Sequence, residues 1–318
     1  MKWLLIYHDD PDGWASAKVL YDNLSSIAKQ LNLTDSFKDS NIELIAADYI
    51  SEDRVYKQAI DVLTNNKETI TIIADFAFSH WERLQTIEKL SSKLILLDHH
   101  ESTLDRYKKS PLTDKSIVIL DTNKAACQIA YDFAHNTKQT NYPHWIDIIA
   151  KWDMWQWDWK ETYIVYVAYG LKHYSELFQK PTSPLWTKFI DDPESVKYVG
   201  KVIVDSEIKT IKSLLDKCAY KVVNYNSDYQ VLCVNTNIKN SIPFKFSDND
   251  IVARCHVWAP YEVISDNTVD IRFYANPLHR AHICKDIAVK YQGGGHPGAA
   301  GCQIPLNTFT EILKSGQL

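Results

Sequence analysis

The sequence contains no Cys-x-x-Cys pair; its six cysteines (Cys127, Cys218, Cys233, Cys255, Cys284 and Cys302) are scattered. That spacing excludes a disulfide frame and a structural zinc site, and it suits the reduced thiols of a cytoplasmic protein. No apolar run approaches the roughly 20 residues that span a bilayer, and Trp3–Tyr7 is too short to be the core of a signal peptide. No membrane partner is therefore expected. Positive charge is not in excess either: 35 Lys and Arg against 40 Asp and Glu give a net charge of −5. This speaks against binding long duplex nucleic acid, which requires many phosphates to be neutralised. A short nucleotide in a local positive pocket remains compatible with it. Internal repeats and low-complexity segments are absent. Glycine is scarce, yet five of the nine glycines fall between residues 293 and 301.

What is present is enough chain for two domains with separate cores. The first half alternates apolar runs with helical patterns, as a mostly parallel α/β sheet with crossover helices does. Strands are predicted at Trp3–Tyr7, Ile42–Ala46, Ile70–Ala74, Leu94–Leu97 and Ile117–Leu120. Helices are predicted from Ala15 to about Leu31, at Ser51–Leu63, and at His80–Leu90, the last capped by Ser79 with Glu82 as its capping-box partner. Residues 125–159 read as two helices broken near Pro143. They hold five of the ten tryptophans (Trp145, Trp152, Trp155, Trp157 and Trp159). An aromatic core wall is the simpler reading of these; a stacking surface for nucleobases is the sharper one. A long helix over Pro193–Cys218 precedes short strands at Tyr229–Val234, Ile251–Trp258 and Val269–Tyr274, then a helix at Ile283–Tyr291. The expected division is a catalytic domain over 1–195, a helical linker over 196–220 and a smaller α/β domain over 221–318.

Several predicted strands end in groups that are costly to leave beside an apolar run. The first leads into His8-Asp9-Asp10-Pro11-Asp12-Gly13, the third into Asp75, and the fourth into Asp98-His99-His100. In an open parallel sheet, ligands lie beyond the carboxyl ends of the strands, so these segments should converge. Asp153, among tryptophans, is a further carboxylate. Asp10, Asp12, Asp75 and Asp153 together carry four negative charges, which two divalent cations would balance. The mixed oxygen and imidazole donors suit Mn²⁺ first, with Co²⁺, Mg²⁺ or Fe²⁺ as alternatives. Two such ions activate water and clamp the oxygens of a displacement at phosphorus, which implies hydrolysis of a phosphoester or phosphoanhydride. The second constellation is Gly293-Gly294-Gly295-His296, whose backbone N–H groups and imidazole could meet an anion; a helix stop before a tight turn is the structural alternative.

With these motifs assembled, the chain resembles the DHH/DHHA1 phosphoesterase superfamily over nearly its full length. His8-x-Asp10-x-Asp12-Gly13 is similar to the first motif, Asp75-Phe76 to the second, Asp98-His99-His100 to the third, and Asp153 to the fourth. Gly293-Gly294-Gly295-His296 resembles the signature of the DHHA1 domain. The resemblance implies that His8, Asp10 and Asp75 hold one metal, while Asp12, Asp75, His99 and Asp153 hold the other. It further implies that His100 contacts the substrate phosphate, that Asp98 orients the histidines, and that Arg272 binds phosphate, here without the flanking serines of many members. The two-residue spacing from His8 to Asp10 resembles the branch of NrnB-like oligoribonucleases and cyclic-nucleotide phosphodiesterases.

The function expected on this basis is hydrolysis of short oligonucleotides or linear dinucleotides to mononucleotides. A phosphomonoesterase acting on 3′-phosphoadenosine 5′-phosphate and a cyclic mononucleotide phosphodiesterase would use the same residues. A non-catalytic nucleotide-binding relative is disfavoured by intact ligands at every motif, and a homodimer is allowed.

Overall fold

The computed structural model describes residues 2–33, 41–157, 162–265, 267–279 and 281–318; Trp159 of the expected aromatic segment lies outside them. The chain divides into two units between Lys201 and Val202. This point lies within the 23-residue helix Glu194–Asp216, over the stretch where a helical linker is expected.

The first unit is built on five parallel strands: β1 (Lys2–His8), β2 (Ile42–Ala47), β3 (Thr69–Ala74), β4 (Lys93–Asp98) and β5 (Ile117–Leu120). Their order is β2-β1-β3-β4-β5. The central strands read as continuous apolar runs because both faces are covered. In β1 the two-residue period sends Trp3, Leu5 and Tyr7 into one core, and Leu4 and Ile6 into the other. None of these five side chains is more than 3% exposed; full burial of each contributes about 1.5–3 kcal/mol. One core is closed by helices Pro11–Asp22, Ala126–His135, His144–Asp153 and Thr162–His173. The other is closed by Glu52–Asn65 and Trp81–Leu90.

The strand order reverses between β1 and β3, which opens a crevice beyond their carboxyl ends. Two local expectations change. Helix Trp81–Leu90 takes His80 as its N-cap, and Ser79 makes no cap; its N–H instead donates to Glu52 Oε2 at 3.0 Å. The helix expected from Ala15 to about Leu31 is two, Pro11–Asp22 and Leu24–Gln30, divided at Asn23.

The second unit carries a mixed six-stranded sheet: β6 (Tyr220–Tyr225), β7 (Tyr229–Asn235), β8 (Val257–Ser265), β9 (Thr268–Ala275), β10 (Gly294–His296) and β11 (Ala299–Pro305). The order is β10-β11-β9-β8-β7-β6, with β7 and β8 parallel and the other pairs antiparallel. Residues 251–258 are not one strand. Asn249 caps a short helix, Asp250–Arg254, by accepting from Ile251 N at 3.0 Å, and β8 begins only at Val257. No described helix is long and apolar enough to cross a membrane.

Candidate active site

The carboxyl ends of β1, β3 and β4 bring His8, Asp10, Asp75, Asp98, His99 and His100 together, and the helix His144–Asp153 adds Asp153 at its last residue. Pro11 starts the helix after β1, and the Asp10 carboxylate caps it by accepting from Gly13 N at 3.0 Å. Gly13 is required by close approach: a Cβ there would lie 2.1 Å from the His8 carbonyl oxygen.

Asp75 is the centre of the cluster. It is 1% exposed, and its backbone sits in the left-handed region at φ 59°, which is strained by about 1–3 kcal/mol for a residue other than glycine. Neither of its carboxylate oxygens has a hydrogen-bond partner, and the same is true of His8 Nδ1 and Asp98 Oδ2. Buried polar atoms left in this condition are rare and call for a ligand. Asp75 Oδ2 lies 3.7 Å from His8 Nδ1, which is 3.0 Å from Asp10 Oδ2. On the other side, His99 Nε2 lies 3.2 Å from Asp75 Oδ1, 3.4 Å from Asp153 Oδ2 and 3.9 Å from Asp12 Oδ2. The donors form three sets, His8–Asp10–Asp75, Asp75–Asp98–His99–His100 and Asp12–His99–Asp153, linked through Asp75 and His99, each with its ligand atoms within 4.8 Å of one another. This donor set of oxygens and imidazole nitrogens fits a hard or borderline divalent cation.

Asp12 has a second task. Its oxygens accept from Ala126 N at 2.7 Å and Cys127 N at 2.9 Å, so it also tethers the amino end of helix Ala126–His135. Asp98 Oδ1 accepts from His99 N at 2.8 Å and from His100 Nδ1 at 2.7 Å, which fixes the turn and the His100 ring.

The electrostatics match a cation site. Burial and then the Asp75 charge raise Asp12 to about 7. Burial, with Asp12 and Asp75, raises Asp153 to about 9. Burial opposes charge on His8, but the Asp10 and Asp75 carboxylates outweigh it and raise the imidazole to about 11. Against the same opposition, Asp75 and Asp12 raise His99 to about 10.

The substrate-binding candidates lie in the second unit. Arg272 on β9 pairs with Gly301 on β11, and Gly301 pairs with Gly294 on β10, so the three form one row across the sheet. The missing side chain at Gly301 makes room for Arg272, whose Nη1 would lie 2.9 Å from a Cβ there. Arg272 Nη2 is 3.4 Å from Asp270 Oδ2. The glycines divide by role. A Cβ at Gly293 would lie 2.2 Å from the Gly301 carbonyl oxygen, and Gly295 has φ 135° with Ala300 in the way of a Cβ, whereas a Cβ at Gly294 would meet open space. Gly294, Gly295 and His296 are exposed.

The model of the DHH family, N-terminal domain, matches residues 2–151. Residues 2–151 therefore form a DHH-family N-terminal domain. The matched span takes in every proposed first-unit site residue except Asp153, which lies two residues beyond it. No curated protein matches the chain. In fold, this DHH protein is similar to the pGpG-specific phosphodiesterase PggH from Vibrio cholerae, with 14% identity, TM-score 0.54, and coverage of 99% of this chain and 97% of that one. It is also similar to the DHH domain of a protein described as a member of a ribosomal protein family, with 12% identity, TM-score 0.60, and coverage of 99% and 85%.

Two neighbours of the DHH site were missed in the sequence. Lys172 places Nζ 5.2 Å from the Trp152 ring centroid, and its charge helps keep Asp10 ionised. Tyr49 lies 5.5 Å from the His8 ring and 5.1 Å from Phe76. Neither carries a local signal, because each is brought in by a separate element of the fold.

Proposed function

We propose that this DHH protein is a metal-dependent phosphodiesterase that hydrolyses short oligonucleotides or linear dinucleotides to mononucleotides. The observation that carries the reading is Asp75: buried, backbone-strained, with no hydrogen bond to either carboxylate oxygen, and a member of two of the candidate ligand sets. His8, Asp10 and Asp75 would hold one divalent cation, and Asp12, Asp75, His99 and Asp153 the other, with Mn²⁺ as the first candidate. Bound there, the pair would neutralise the phosphoryl oxygens and lower the pKa of the attacking water.

The chain's own groups do the rest. The bond from His100 Nδ1 to Asp98 fixes the ring, and the partly exposed imidazole can then donate to a non-bridging phosphate oxygen. Asp98 is lowered despite its burial, because the His100 imidazole beside it favours the carboxylate. Arg272, the backbone of Gly293–Gly295 and His296 would bind the nucleotide in a DHHA1-type unit. The acidic net charge of −5 favours small substrates over long nucleic acids. Six free cysteines suit a cytoplasmic setting.

The test is turnover with Mn²⁺ of pGpG, pApA, longer RNA, 3′,5′-cyclic AMP, 3′-phosphoadenosine 5′-phosphate and pyrophosphate, side by side. Mononucleotide release from the linear dinucleotides is expected. Turnover of only a monoester or pyrophosphate would replace the substrate class, and no turnover of any member by metal-loaded protein would sink the enzyme reading.

A further inference from the structure

Aromatic packing in the first unit comes in two kinds. In its core, Trp145, Phe178, Trp186 and Phe189 meet edge to face, with interplanar angles of 64–86°. That is the ordinary geometry of buried rings. Trp152, Trp155 and Trp157 differ. Their rings lie nearly parallel, at 11° and 21°, with centroids 5.5–6.4 Å apart. Trp155 is 57% exposed.

Trp155 also occupies an unusual backbone position. It follows helix His144–Asp153 in the left-handed region at φ 55°. There Trp155 N donates to Trp152 O at 3.3 Å, and Gln156 N donates to Lys151 O at 2.9 Å. Glycine is the usual occupant of this helix-ending position, and a side chain there is strained. A bulky, half-exposed ring held in a strained backbone points to a functional contact.

Its surroundings identify the contact. Asp153 lies within the same turn and belongs to the candidate metal set. Lys172 Nζ sits 5.2 Å over Trp152, so the tryptophans adjoin both a candidate metal ligand and a cation able to meet a phosphate. A planar apolar group attached to a phosphate matches both features.

We propose that Trp155, together with Trp152 and Trp157, forms a stacking platform for the nucleobase of the nucleotide whose phosphate is held at the Asp75 cluster. The proposal rests on the phosphodiesterase reading for what the cluster holds. It adds that recognition in the first unit is through the face of the base, so a phosphate without a base binds poorly.

The test uses the full-length, Mn²⁺-loaded protein in equilibrium binding of adenosine 5′-monophosphate and ribose 5-phosphate. The wild-type chain should bind the nucleotide roughly ten-fold or more tightly than the sugar phosphate. Trp155→Gly, which the left-handed backbone accommodates, should remove most of that difference and leave ribose 5-phosphate binding and metal content unchanged. Trp155→Phe should restore part of it. Equal affinity of the wild type for the two ligands, or undiminished nucleotide preference in Trp155→Gly, would overturn the platform. A parallel assay of pApA hydrolysis separates the two ideas: absent turnover with intact base preference defeats the phosphodiesterase reading alone.

Discussion

His99 Nε2 lies 3.2 Å from Asp75 Oδ1, joining a histidine at the end of β4 to a carboxylate at the end of β3 that has no hydrogen bond of its own. The two come from neighbouring strands, yet the relationship makes sense only with something between the donor sets. Asp75→Asn is the informative replacement, because asparagine tolerates the left-handed backbone at φ 59°. The variant should fold and lose bound metal, with hydrolysis reduced at least ~1,000-fold. Circular dichroism, metal analysis and Mn²⁺-supported turnover check this; unimpaired metal content would contradict it.

Metal affinity should climb with pH. Asp12 and Asp153, raised by burial and by their carboxylate neighbours to about 7 and about 9, hold protons that a cation must displace. His8 and His99, at about 11 and about 10, are likewise protonated until a cation binds. Binding therefore releases protons, and the apparent Kd for Mn²⁺ should fall roughly ten-fold or more between about pH 6 and 8.5. Calorimetry in buffers of different ionisation enthalpy counts the protons. Binding without proton release would show that these groups are not the ligands.

A separate pH effect concerns stability. Burial opposes ionisation of Glu88, but Ser116 Oγ and Thr113 N and Oγ1 donate to its Oε1 at 2.6–2.7 Å and lower its pKa. A depressed carboxylate stabilises above its unfolded value of about 4.3 and loses that contribution as pH falls through the lower folded value. Glu88→Gln should destabilise by about 1–3 kcal/mol at neutral pH. It should also flatten the acid limb of the melting-temperature curve; a variant with the wild-type curve would contradict the assignment.

The glycine motif can be dissected one residue at a time. Gly295 has φ 135°, and a Cβ there would lie 2.6 Å from Ala300 Cα, so Gly295→Ala should lower the melting temperature. Gly294 has open space, so Gly294→Ala should leave it unchanged and raise KM through backbone approach to the substrate. His296→Ala should change KM or kcat with metal content intact. Loss of manganese from His296→Ala would rule out the role given to the motif.

The parts legible in the sequence were those with local causes. The apolar runs of β1, β3 and β4 end in charged residues, so both the strands and their common end could be read. Residues 251–258 look continuous because Ile251, Val252, Val257 and Trp258 are all apolar; the Asn249 cap, a single side-chain hydrogen bond, makes the first part a helix. Ser79 and Glu82 match a capping box, yet the backbone group in question is taken by Glu52, 27 residues earlier. The second task of Asp12 spans 114 residues to Ala126, and no spacing rule reaches that far. The parallel tryptophans show the same limit: composition announces the rings, and only the helix end at Trp155 decides how they face.

The most direct measurement is a calorimetric titration of metal-free protein with Mn²⁺, with pGpG hydrolysis followed at each point. The account predicts two equivalents per chain and turnover that appears as the second site fills. A single equivalent, or full turnover by metal-free protein in the presence of chelator, would contradict it.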